Sequence, residues 1–129
     1  MIERLADLPP YVVGLKAVGE VTQEDYDNVV LPAVNKVTKE YEGLSFLMVL
    51  ETDIKNITFG AWMRDAWISL KEYAHWKRVA VVTDQKVAAT LNNSLRYVFP
   101  GESKSFSFDE LEQARTWVTE ALIERKAAS

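Results

Sequence analysis

The chain has 129 residues, 48% hydrophobic and 26% charged, enough for one domain with a single core and too few for two ordinary ones. Nineteen acidic against fifteen basic side chains leave a net charge of −4, and with no basic run or basic amphipathic face a nucleic-acid partner is excluded. There is no cysteine, which excludes disulfides, thiolate zinc sites and cysteine nucleophiles and suits a reducing compartment.

Met1-Ile2-Glu3-Arg4 does not begin a basic segment with an apolar core, and no apolar run approaches the ~18 residues of an integral membrane segment. The expected location is cytoplasmic. Ile2 to Leu8 mixes apolar and polar residues before Pro9-Pro10, and Tyr11 to Gly19 is mostly apolar. Prolines cannot donate to a ladder, so they belong in the connection of an antiparallel strand pair. Thr22 then starts a helix, with Asp25 at the reciprocal capping position and Val21 placed to staple onto Tyr26. Its inward face is Tyr26, Val29, Val30, Ala33, Val34, Val37 and Tyr41. Pro32 presses on the carbonyl of Asn28, which predicts a kink or break near Leu31, and Gly43 is placed to end the helix.

Phe46 to Leu50 is a continuous apolar run closed by Glu51, as expected for a central strand covered on both faces. From Phe59 the period changes to that of a helix: Phe59, Trp62, Met63, Ala66, Trp67, Leu70, Tyr73 and Ala74 form one stripe, and Arg64, Asp65, Ser69, Glu72 and His75 take the other side. Lys77 to Asp84 reads as a second buried strand, parallel to the first, and Gln85 to Phe99 as a third helix with Val87, Ala88, Leu91, Leu95 and Val98 inward. Glu102 to Phe108 alternates, predicting an edge strand with Phe106 and Phe108 inward and its serines facing water. Ser107 and Glu110 form a capping pattern before a last helix that packs Leu111, Ala114, Val118, Ala121 and Leu122, with Trp117 alongside. The order is ββαβαβαβα: an α/β fold on a mixed, mainly parallel five-stranded sheet, with three right-handed crossovers placing helices on both faces. Residues 1–123 form the single domain, and 124–129 are expected to fray as a polar tail.

This order resembles the STAS superfold, and more closely the SpoIIAA-like bacterial proteins, which are also compared with the Sec14-type (CRAL-TRIO) lipid-binding fold. The resemblance rests on Thr22 to Tyr26 leading to Leu31-Pro32-Ala33, the Phe59-Gly60-Ala61 helix start, Trp76 followed by Arg78 to Asp84, and Phe106 with Glu110, Ala114 and Trp117. STAS-type anti-sigma-factor antagonists carry a phosphorylatable serine at the start of the helix after the third strand. Here that stretch reads Lys55-Asn56-Ile57-Thr58-Phe59-Gly60, and Thr58 is the hydroxyl in that place. A phosphate there would meet free N–H groups and a favourable dipole, although capping is the simpler role for a threonine.

Glu51, Asp53 and Asp84 fall at or just beyond the carboxyl ends of adjacent parallel strands, where α/β sheets bind ligands and where carboxylates can hold Mg²⁺ or act as acid and base. Helix capping and a solvated loop account for them more simply. His75 has no second histidine with which to build a zinc site, and no glycine-rich phosphate or dinucleotide pattern is present, so no metal, cofactor or catalytic constellation is predicted. The aromatic stripe Phe59, Trp62, Met63, Trp67 and Tyr73 is a core face by default and a pocket lining by excess. The sequence therefore predicts a non-enzymatic STAS-like binding or regulatory module acting on a protein partner or a second copy of itself. The alternative is a small carrier or sensor of an apolar, lipid-like molecule held under the second helix.

Overall fold

The computed structural model describes residues 1–51, 75–91 and 101–126. Strand β1 (Ile2–Arg4) runs antiparallel to β2 (Val12–Ala17), and β3 (Leu44–Leu50), β4 (Trp76–Thr83) and β5 (Glu102–Ser107) follow in parallel, in the spatial order β1-β2-β3-β4-β5. The prolines lie in the β1–β2 connection, where the Pro9 carbonyl accepts from Val12 N–H at 3.0 Å.

Thr22 and Asp25 make the expected capping box before α1 (Gln23–Asp25). The chain then passes through a π-helical turn (Tyr26–Val30) into α2 (Leu31–Glu40). The predicted kink or break takes the form of a change in hydrogen-bond register. Leu31 N–H donates to the Tyr26 carbonyl five residues back, while Leu31 keeps helical angles of φ −62° and ψ −46°. Pro32 thereby enters in the first turn of α2, where its missing N–H is tolerated. That helix stops at Tyr41, which is already extended, two residues before Gly43. Gly43 serves a close approach instead. Leu44 N–H donates to His75 O at 2.9 Å, and a Cβ on Gly43 would lie 2.9 Å from that oxygen.

Side chains alternate across the sheet and divide the core in two. Val13, Leu15 and Ala17 of β2 with Leu44 and Phe46 of β3 face Val30, Ala33, Val34 and Val37 of the first helical segment. Leu47, Val49, Ala80, Val82 and Phe106 face Ala114 and Val118 of α4 (Leu111–Thr119) on the other side. Helix α3 (Gln85–Leu91) lies on the same face as α2, because the Ser105 hydroxyl that donates to Ala88 O belongs to the register row of Leu15, Met48 and Val81. Helices cover both faces, and the two crossover helices among the described residues, α2 and α3, share one of them. Strands added in one direction with one handedness put their crossover helices on one face. The terminal helix α4 and residues of the 5–11 segment cover the other.

This layering corrects the reading of β5. Ser105 and Ser107 are each only 6% exposed, whereas Phe108 has left the strand for a 3-10 turn and is 46% exposed. The alternation of Ser and Phe reflects two different coverings: Ser105 bonds the Ala88 carbonyl of α3 on one face, and Phe106 packs on α4 on the other. Leu122 is also not packed: α4 ends at Thr119 and leaves that side chain 90% exposed. The segment beyond it pairs with the end of α2, Glu42 N–H donating to Glu124 O at 2.9 Å and Lys126 N–H to Glu40 O at 2.8 Å. Residues 92–100, including Leu95 and Val98 of the expected third helix, lie outside the described residues.

Candidate functional site

The carboxyl ends of the parallel strands are where the sequence places its polar candidates. Glu51 directly follows β3, and its N–H donates to Ala17 O at 2.9 Å, so the end of β3 is held level with that of β2. Its carboxylate lies 3.2 Å from Nζ of Lys16, on β2. The pair is half-exposed and contributes less than about 1 kcal/mol.

Asp84 follows β4 and caps α3. Its Oδ1 accepts from Lys86 N–H at 3.0 Å and its carbonyl from Ala88 N–H at 2.8 Å. Beyond β5, Ser107 N–H donates to Glu110 Oε1 at 3.0 Å, and its hydroxyl donates to the carboxylates of Asp109 and Glu110. The Ser107 N–H is the main reason the Glu110 carboxyl stays below its ordinary 4.5, with the hydroxyl second. Glu51 is thus paired with the neighbouring strand, and Asp84 and Glu110 are bonded at helix starts. Among the described residues, no group of three His, Asp or Glu side chains stands together as a metal site would need.

Of the residues predicted for function, Glu51 and Asp84 are described and serve these separate bonds. Asp53, Thr58, Phe59, Trp62, Met63, Trp67 and Tyr73 lie outside the described residues.

A cluster at the other end of β4 was missed. Arg78 Nε donates to Glu102 Oε2 at 3.1 Å, its Nη1 donates to Trp117 O at 2.7 Å, and the guanidinium stands 5.0 Å from the Trp117 ring centre. Glu120 adds a longer contact at 3.8 Å. The Trp117 ring also leans on Phe106 at 6.0 Å, and Lys104 Nζ sits 5.1 Å from the Phe106 ring centre. Between β5 and α4 these side chains edge an open groove of about 410 Å³, lined also by Glu112, Gln113 and Thr116. An arginine within the first residues of a buried strand was the available signal, since a half-buried guanidinium requires acceptors.

The geometry defines an α/β domain wound in one direction, whose strand-end acids have structural duties. A family model described as SpoIIAA-like matches residues 12–119, and the chain belongs to the SpoIIAA-like family. The match runs from the first residue of β2 to the last of α4, leaving out β1 and the 124–126 pairing. Neither a curated protein nor a solved structure matches the chain. Among the described residues no helix is long and apolar enough to cross a membrane.

Proposed function

We propose that this chain is a non-enzymatic, STAS-like regulatory module that works by binding another protein. Its membership of the SpoIIAA-like family over residues 12–119 carries this reading. The strand ends support it, because Glu51 pairs with Lys16 and Asp84 caps a helix, so each has a structural role that requires no catalysis. Binding through a surface needs shape and exposed side chains and no activated group.

Native mass spectrometry of the protein purified from its own host, followed by the same spectrum under denaturing conditions, tests this. The expected result is a chain free of small molecules, alone or in complex with a protein at fixed stoichiometry. A stoichiometric hydrophobic mass released on denaturation would overturn the reading in favour of an apolar-ligand carrier.

A further inference from the structure

Among the described residues, β5 has a hydrogen-bonded neighbour on one side only, which is β4. The outer row of N–H and C=O groups on such a strand is a template for another strand. Pairing with β4 sets Glu102 beside Arg78 and Lys104 beside Ala80, so both charged residues project on the α4 face, and both are exposed. Ser103, between them, belongs to the opposite face.

We propose that two copies of this chain associate edge to edge, their β5 strands antiparallel about a two-fold axis through Ser103, so that two sheets become one. The choice of register follows from charge. A two-fold axis normal to the sheet passes through a residue that faces its own mate, since facing residues of an antiparallel pair project on the same side. An axis at Glu102 or Lys104 sets like charges face to face, and one at Ser105 or Phe106 leaves both charges without a partner of opposite sign on β5. An axis at Ser103 sets Glu102 of each copy opposite the partner's Lys104, twice.

Arg78, 3.1 Å from Glu102 on its own chain, extends each pair into an alternation of cation, carboxylate and cation. A lone lysine on an edge strand opposes self-pairing. Glu102, two residues before it, turns that obstacle into a selector of register. The open groove between β5 and α4 leaves room on this face for the partner's side chains.

Sedimentation velocity on the full chain, from low micromolar to millimolar concentration, tests the proposal. The native chain is expected to dimerise reversibly. Lys104→Glu and Glu102→Lys, each alone, are expected to weaken the dimer by about tenfold or more, because two cross-strand pairs turn from attraction to repulsion. An equimolar mixture of the two variants restores both opposite-charge pairs and is expected to give a heterodimer. Thermal melts followed by circular dichroism check that each variant is folded, which the exposure of both positions favours. A native chain that stays monomeric throughout would overturn the proposal, as would a dimer that neither substitution weakens or a folded pair of variants that fails to associate on mixing. None of these outcomes bears on whether the chain binds a different protein or a small molecule, which the host-purified spectrum decides separately.

Discussion

Asp25 closes the capping box with Thr22, accepting from its N–H at 2.9 Å while Asp25 N–H donates to Thr22 Oγ1 at 3.2 Å. The Thr22 N–H is the first cause of a carboxyl held below its ordinary 3.8, and the chain's amino group, 3.4 Å away, lowers it further. A carboxyl with a depressed folded-state value contributes stability that is complete above the unfolded value and lost as the pH falls through the folded one. Glu110, bonded by Ser107, acts in the same direction. Asp25→Asn is therefore expected to lose less of its stability than the native chain as the pH is lowered from about 6 to about 3. Melting temperatures across that window provide the check, and superimposable acid profiles would show that the bond to Thr22 does not survive in solution. Backbone demands act at this scale as well. Gly101 has φ +78°, and a Cβ there would lie 2.3 Å from Trp76 O, so the entry to β5 is confined to glycine twice over.

At the scale of elements, Arg78 joins three of them, reaching from β4 to Glu102 on β5 and to the Trp117 carbonyl near the end of α4. Helix α4 is nine residues long and buries little more than Ala114 and Val118, so its position depends on such a pin. Replacing Arg78 by Met keeps the apolar stem and removes the guanidinium, leaving a part-buried carbonyl without its donor. Because the ion pairs themselves are largely exposed, the expected loss is roughly 1–2 kcal/mol, dominated by the hydrogen bond to Trp117. Urea unfolding measures it, and an unchanged midpoint would dismiss Arg78 as the anchor of α4. The π-turn at Tyr26–Val30 belongs to this scale too. Pro32 predicts a disturbance of the helix, but the form it takes depends on keeping Val30, Ala33, Val34 and Val37 all against the sheet. A broken helix would have turned that face away.

At the scale of the molecule, the 124–126 segment ties the end of the chain to its first half. Its two backbone hydrogen bonds to the 40–42 stretch are joined by Arg125, which lies 5.7 Å from the Tyr41 ring centre. Tyr41 packs edge-on to Tyr11 at 6.0 Å, and Tyr11 OH donates to Thr119 O at 2.5 Å. A chain ended at Ile123 is expected to melt about 3–6 °C lower, from the loss of roughly 1–2 kcal/mol in hydrogen bonds and ring contact. An unchanged melting temperature would mean that these residues add nothing to the domain, as their polar composition alone suggests.

Apolar period and capping chemistry are local properties, and the sequence by itself determined what depends on them. The five strands, the antiparallel start, both capping boxes and the inward faces of α2 and α4 follow from spacings within a few residues. Glu51 and Asp84 were legible as strand-end acids for the same reason, but what they bind was legible only in part. Capping of α3 by Asp84 follows from nearby residues, whereas the Lys16 that holds Glu51 comes from a strand 35 positions earlier and is brought there by parallel register. Tertiary structure alone decided the covering of β5. Its serines look polar and hence exposed, yet Ser105 finds the Ala88 carbonyl of α3 and Ser107 the carboxylates of Asp109 and Glu110, which makes their burial tolerable. It also decided which face each helix takes, because that depends on the direction in which strands are added, a property of the whole sheet that no single segment contains.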